Sequence, residues 1–562
     1  MSDNDTTISG SISQSIVVTG SGNSVSLVIG SALSIPIERR QIRPVVRHQR
    51  GGQAARSELD LLNARTTLVP FVAREPELAG LREWLDAGVD LSVHALVAPA
   101  GTGKTRLAME LCRRVDPTDT PGSGGWTAGF LSSDDLPHIA EAFSTGTFRW
   151  AGNMLLVVDY AGRSAEPLRQ WLDRLAAASL APAKVRILLL ERRAPSELGW
   201  WRTLVGAETS GSAAARRGLF WNTDLRPDDL ADLDDGDVRR RLFTAVLVAA
   251  CERAGKHPPS VPVAGADPAF DRRLAEARFA NPLALVMAGV SASRMSPIEA
   301  LGLRHLEAAR AIARRELDRM GKIAPATETA LVHLTAFNLL AGGLPVDGLT
   351  DTIAAEVSSA HVGGIAADLA AILRQEYLPR ATRDGTPPRL NTPEPDLIGE
   401  AMIVEARLRA GEDERATAGF VERAYACGGS AMAAVLMRLL QDFAFPKADA
   451  AATKGEKEDA ERLLGWLKHL AEACGNVETL APIVAAIPSN TLVLREDALE
   501  LTNRIVAALI EGSAPPELVA PWLTNLGNRL SDLGRREPAL AAAEEAVDLY
   551  RTLAAERPDA FR

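Results

Sequence analysis

A run of small residues ending in a cation and a hydroxyl, Ala98-Pro99-Ala100-Gly101-Thr102-Gly103-Lys104-Thr105, has the types and spacing to hold a polyphosphate. Small side chains let backbone N–H groups face phosphate oxygens, and a helix opening at Lys104 adds its free N–H donors and its dipole. Lys104 can reach the outer phosphates, and Thr105 can set a hydroxyl on Mg²⁺. The first position of this pattern is ordinarily glycine. Here it is Ala98, which disfavours positive φ. A second segment fits the same chemistry. Met154-Leu155-Leu156-Val157-Val158-Asp159 is an apolar strand that delivers a carboxylate at its C-terminal end, where Asp159 could hold Mg²⁺. Tyr160, Ala161, Gly162 and Arg163 follow, so no second carboxylate stands beside Asp159, and Glu166 is off that position. Slow or switch-like turnover is expected. A third strand, Lys184–Leu190, ends at Glu191-Arg192, and Arg192 could read a γ-phosphate with its planar fork; the alternative is a surface arginine. No [NT]KxD guanine signature lies at a strand end, so ATP or ADP is expected rather than GTP.

These residues need a scaffold, and the pattern from about 64 to 230 supplies one. Short apolar strands (91–98, 126–132, 153–160, 184–191) alternate with amphipathic helices. Continuous apolar runs suit strands buried on both faces of a parallel sheet. Beyond 230 the chain reads as helical, with Leu and Ala at helical spacing. A Pro/Thr/Asp-rich stretch at 377–396 interrupts it and reads as a wing or loop. Residues 1–36 are nearly uncharged. Ile12, Ile16 and Val18 alternate, as do Val25, Leu27 and Ile29, around Gly20-Ser21-Gly22-Asn23, which predicts a strand, a turn and a strand. A Ser/Gly tail is the alternative. Residues 37–63 carry six arginines with Pro44 and Gly51-Gly52 and read as a basic linker, with a basic arm touching nucleic acid as the alternative.

Composition sets limits. Hydrophobic residues at 46% and charged residues at 24% fit globular domains, and the length implies several of them. A net charge of −10 argues against a general nucleic-acid coat. No run of about 18 apolar residues is free of charges or breakers, so no membrane span is expected. The N-terminus has no secretory pattern. Cys112, Cys251, Cys427 and Cys474 are isolated, which argues against zinc and disulfides and for a reducing cytoplasm. Arginine far outnumbers lysine, as in GC-rich genomes, so arginine by itself signals nothing about phosphate.

Together these motifs resemble the STAND class of P-loop ATPases, close to the AP-ATPase and NACHT groups and to bacterial NLR-like proteins. Val69-Pro70-Phe71-Val72-Ala73-Arg74-Glu75 looks like the segment preceding the first strand of that class, with Ala73 where glycine is common. Phe279-Ala280-Asn281-Pro282-Leu283 resembles its GxP motif, whose proline packs near the base; Pro282 also suits a helix N1 position after an Asn cap. Residues 325–410 resemble the winged-helix module. Residues 521–562 resemble a TPR unit, with Leu523, Leu526, Gly527 and Leu530 on one helix and Ala539, Ala543 and Ala546 on the next.

The resemblance implies a multidomain chain. Its parts would be an N-terminal assembly segment (1–36), a linker (37–63), a P-loop core (64–230), a helical domain (231–324), a winged-helix-like domain (325–410), degenerate helical repeats (411–520) and a TPR-like repeat (521–562). It implies ATP/ADP and Mg²⁺ as cofactors. Lys104, Asp159 and Arg192 would be the catalytic groups. Residues 98–105 and Pro282 would form the nucleotide site, with Thr105 and Asp159 on the metal. It further implies a switch that oligomerises with nucleotide, takes a protein or peptide trigger on its C-terminal helices and recruits a separate effector through residues 1–36. Its setting would be anti-phage defence or regulated cell death. Nucleic acid is not expected as a partner. A STAND–TPR transcription regulator and a TPR scaffold with an inactive NTPase remain the alternatives.

Overall fold

The computed structural model describes residues 24–29, 33–38, 57–64, 68–116, 125–131, 136, 152–177, 184–194, 200–206, 211–380, 388–393, 395–411, 414–444, 453–488 and 491–556. The chain forms two compact units, Met1–His305 and Leu306–Arg562.

The first unit is built on a sheet. Its strands are β1 (Ser24–Ile29), β2 (Leu33–Glu38), β3 (Leu91–Val97), β4 (Trp126–Leu131), β5 (Asn153–Asp159), β6 (Val185–Glu191) and β7 (Asp228–Asp229). They lie in the order β1-β2-β4-β5-β6-β3-β7. From β4 to β7 all pairings are parallel. This five-stranded order, with the motif-bearing β3 between β6 and β7, is that of a P-loop NTPase core. Helices α1 (Glu75–Asp86), α2 (Lys104–Val115) and α3 (Ala165–Ala176) flank it. Alternate residues of each central strand bury on opposite faces. Leu155, Val157, Leu188 and Leu190 meet Leu81 and Trp84 of α1 and Leu107 and Leu111 of α2. Leu156, Val158, Ile187 and Leu189 meet Leu168, Trp171 and Leu172 of α3. Burial on both faces explains why these strands read as unbroken apolar runs.

One charge interrupts those runs. Arg186, the second residue of β6, is fully buried. Its guanidinium donates to the carbonyls of Trp84 (3.1 Å), Val185 (3.1 Å), Ala87 (2.8 Å), Val89 (2.9 Å) and Asp90 (3.4 Å). It therefore caps the C-terminal turn of α1 and the loop leading into β3.

β1 pairs antiparallel with β2, from Ser24 opposite Glu38 to Ile29 opposite Leu33, and Glu38 lies opposite Phe130 of β4, the outermost strand of the parallel part. The run at Val25–Ile29 is thus in a strand, but its partner here is β2. β2 is not among the expected strands; its Pro36 lacks a ladder donor, which weakens the pattern. β2 also runs two residues beyond the expected start of the linker. The other expected strand, around residues 12–18, lies outside the described residues.

After β7 come α4 (Gly236–Arg253), α5 (Pro268–Leu274) and α6 (Pro282–Ala292). Their starts follow capping chemistry: Asp235, Asp267 and Asn281 each accept from backbone N–H groups of the first turn, and Pro268 and Pro282 open α5 and α6.

The second unit is helical. It contains α7 (His305–Ile323), α8 (Glu328–Leu340), α9 (Leu349–Ser359), α10 (Ala366–Glu376), the strand pair β8 (Pro379–Arg380) and β9 (Arg389–Leu390), and then α11 (Asp396–Ala410), α12 (Glu414–Gly428), α13 (Ser430–Phe443), α14 (Lys454–Ala473), α15 (Val477–Ala486), α16 (Arg495–Glu511), α17 (Pro516–Asp532) and α18 (Arg536–Glu556). Pro345, between α8 and α9, bridges antiparallel to Arg389. Glu356 of α9 is buried, which raises its pKa, but hydrogen bonds from His333 of α8 (2.8 Å) and Arg423 of α12 (2.6 Å) outweigh this and hold it below the usual carboxylate range. α17 and α18 approach closely at Gly527, where a Cβ would meet the Ala539 carbonyl at 3.3 Å.

No described helix is long and apolar enough to cross a membrane. The four cysteines are free thiols.

Candidate nucleotide site

The loop between β3 and α2 lies at the C-terminal end of the sheet, flanked by the ends of β5 and β6. Gly101 and Gly103 have φ of 81° and 94°, values natural to glycine. Ala98 is not among the described residues with positive φ, so the alanine at the first motif position carries no backbone strain. Lys104 opens α2 and is buried. Its ammonium donates to the carbonyls of Pro99 (3.0 Å) and Ala98. Burial pulls its pKa down to about 8; Asp159 and Glu191 oppose that shift and Arg192 adds to it.

Thr105 donates from its hydroxyl to Asp159 Oδ2 at 3.0 Å. The second residue of α2 thus meets the last residue of β5. A hydroxyl and a carboxylate side by side are oxygen donors suited to Mg²⁺, which takes one or two side chains together with phosphate and water. Among the described residues there is no group of three or more His, Cys, Asp or Glu that could hold a metal by itself, so the fit is to Mg²⁺ carried with phosphate.

Glu191 is the carboxylate that sequence reasoning missed. Asp159 pairs with Leu190 across the sheet, which puts Glu191 one residue further along the neighbouring strand. Its side chain accepts from the backbone N–H groups of Gly162 (2.8 Å) and Arg192 (2.6 Å). A Cβ on Gly162 would lie 2.7 Å from Glu191 Oε2, so that glycine permits the contact. The signal was an acid at the end of an apolar strand, at a step where only the arginine was weighed. Arg192 itself is half-buried and near enough to act on Lys104. Glu166 is exposed and bonded to Arg169 and Gln170, away from this cluster.

Two segments distant in sequence close on the loop. Arg74 sits just before α1, after Ala73, and both have positive φ (73° and 69°). Arg74 donates to the carbonyl of Thr102 at 3.3 Å, to Ala231 O and to Glu77. From the other side comes the start of α6. Asn281 donates from Nδ2 to the Ala100 carbonyl (2.8 Å) and accepts from the Leu283 N–H (2.9 Å), which is shared with the Gly101 carbonyl (3.2 Å). The expected motif around Pro282 does reach the loop, and the polar contacts run through its neighbours Asn281 and Leu283.

No family model matches the chain, and no curated protein matches it. Among solved structures it is similar to the Aeropyrum pernix ORC1 protein in complex with DNA (18% identity, 63% of this chain and 98% of that chain, TM-score 0.29). It is also similar to a STAND protein with a tetratricopeptide repeat sensor from Pyrococcus horikoshii (13% identity, 86% and 77%, TM-score 0.25) and to a DNA replication initiation factor (13% identity, 72% and 99%, TM-score 0.28). The P-loop NTPase fold of the first unit rests on its own strand order and loop geometry.

Proposed function

We propose that this chain is a nucleotide-binding switch of the STAND kind, holding ADP or ATP with Mg²⁺ at the loop 98–105. The observation that carries this reading is the convergence of Lys104, Thr105 and Asp159 at the C-terminal end of a parallel sheet, with the Thr105 hydroxyl 3.0 Å from the Asp159 carboxylate. Lys104 would bind the outer phosphates, Thr105 and Asp159 would hold Mg²⁺, Arg192 would read the γ-phosphate, and Pro282 would report the base to the helical segment. Bound Mg²⁺ would neutralise phosphate charge, so that the loop and Lys104 need only orient the chain of phosphates.

The rest of the reading builds on that site. The order of α8, the bridge at Pro345, α9, α10 and the pair β8–β9 supports a winged-helix-like domain. The close α17–α18 hairpin supports a TPR-like unit. In this scheme a protein or peptide trigger on the C-terminal helices favours opening and nucleotide exchange. Opened protomers then oligomerise and cluster residues 1–36 for a separate effector, in anti-phage defence or regulated cell death within the cytoplasm. Two states biased by two ligands are what such coupling requires.

The native mass of the purified chain, with ADP, with ATP–Mg²⁺, for Lys104→Ala and without residues 1–36, tests the scheme. Growth of a discrete oligomer that needs ATP, Lys104 and residues 1–36 is the expected result. An oligomer indifferent to nucleotide and to Lys104 would make the chain a scaffold. The transcription-regulator alternative draws on the winged-helix-like topology, but α10 carries Asp368 and Glu376 against Arg374, a poor match to phosphate. Salt-dependent binding to duplex DNA would revive it.

A further inference from the structure

Every carbonyl from Ala98 to Gly103 accepts a hydrogen bond. Ala98 and Pro99 accept from Lys104, and Pro99 accepts also from the Thr102 hydroxyl at 2.8 Å. Ala100 accepts from Asn281, Gly101 from the Leu283 N–H, Thr102 from Arg74 and Gly103 from the Leu107 N–H at 2.8 Å. In a planar trans peptide the C=O and the following N–H point in opposite directions. Pinning the Ala100 and Gly101 carbonyls against the start of α6 therefore aims the N–H groups of Gly101 and Thr102 the other way. Among the described residues those two N–H groups take no part in the bonds that hold the loop. The fit is tight: a Cβ on Gly101 would lie 2.7 Å from Asn281 Oδ1 and 2.8 Å from Leu283 Cβ.

Asn281 does two things at once. Its Oδ1 caps α6 and its Nδ2 holds the loop. The surroundings fix that orientation, because the Leu283 N–H needs an acceptor and the Ala100 carbonyl needs a donor. Serine and aspartate cap as well as asparagine, but aspartate has no donor and serine is too short to span both partners.

We propose that Asn281 is a positioning residue for phosphate, which sets the direction of the loop N–H groups and so couples nucleotide affinity to the docking of α6. This rests on the nucleotide-binding reading above.

The test uses the full chain and Mg–ADP and Mg–ATP as probes. Affinity by titration calorimetry and the thermal midpoint of the free protein are measured for wild type, Asn281→Ser, Asn281→Asp and Lys104→Ala. Asn281→Ser keeps a neutral cap and removes the bond to Ala100. It should bind about five- to tenfold more weakly, because the loop is no longer held ready for phosphate, with the midpoint lowered only slightly since water can replace this exposed bond. Asn281→Asp sets a carboxylate against the Ala100 carbonyl and should lose about a hundredfold. Mg–ADP should also slow hydrogen exchange across residues 283–290 in wild type and much less in Asn281→Ser, because coupling is reciprocal. Wild-type affinity in both Asn281 variants, with binding lost in Lys104→Ala, would overturn the proposal and leave the nucleotide site standing. A wild-type chain that binds neither nucleotide would overturn both.

Discussion

Two cations are buried at opposite ends of the same sheet, and each is bonded to backbone carbonyls. Arg186, at the N-terminal end of β6, has five N–H donors and makes five bonds. Lys104, beyond the C-terminal end of β3, has three donors and gives two of its bonds to loop carbonyls. Burial lowers the pKa of both. The difference lies in saturation. A guanidinium whose whole fork is matched by fixed carbonyls is architecture, since it satisfies the end of α1 and nothing more can be added to it. An ammonium with donor capacity to spare, beside Asp159 and a glycine loop, is poised for an incoming anion.

The largest test of this contrast is Arg186→Met. It leaves buried carbonyls without donors and should cost about 3–5 kcal/mol of stability. Urea unfolding measures that loss, while nucleotide affinity of the folded fraction should stay near wild type. Lys104→Ala should do the reverse: a roughly hundredfold loss of Mg-nucleotide affinity with no loss of unfolding free energy, because removing a charge that burial disfavours offsets its two carbonyl bonds. If both variants fail in the same assay, the distinction collapses.

A smaller effect follows from acidity. The folded pKa of Lys104, about 8, lies below its ordinary value of 10.5. Below pH 8 the ammonium is charged and can meet phosphate; above it, affinity should fall by about tenfold per pH unit. Stability moves the opposite way. Between about 8 and 10.5 the unfolded chain holds more protons at this site, so Lys104 makes the free protein more stable as pH rises. Titrations with Mg–ADP and thermal scans from pH 7 to 9.5 should therefore diverge.

The smallest effect sharpens the comparison at a third cation. Arg74 is divided between Glu77, Ala231 and the loop, and it is presented by Ala73 at a φ of 73°. Ala73→Gly should relieve left-handed strain and stabilise the fold by about 0.5–1 kcal/mol, without changing nucleotide affinity.

What was legible in the sequence is what is local. The strand, loop and helix around Lys104 are contiguous, and an acid ending an apolar strand is a short pattern, so both were readable and the sheet brings them together. The arrangement around them was not, because it depends on register and on distant segments. Glu191 reaches the site only because β6 lies beside β5. Arg186 was hidden by the general abundance of arginine; its cue was a charge inside an apolar run. Asn281 read as a helix cap, which it is, yet its second bond is tertiary. In the second unit, helical spacing announced the helices, but nothing periodic marks the His333–Glu356–Arg423 cluster that joins three of them.

The bond from Asn281 to Ala100 spans 181 residues of chain. A nascent polypeptide that has emerged only as far as β7 holds all the strands of the core and the whole motif, but its loop still lacks one wall. Closing so long a span comes late, because the ends must find each other against chain entropy. If the loop holds nucleotide as proposed, tight binding would therefore follow synthesis of the helical segment. On the proposed reading, a partly made chain would load more weakly, and the first molecule with the complete site would be one in which α6 is already in place.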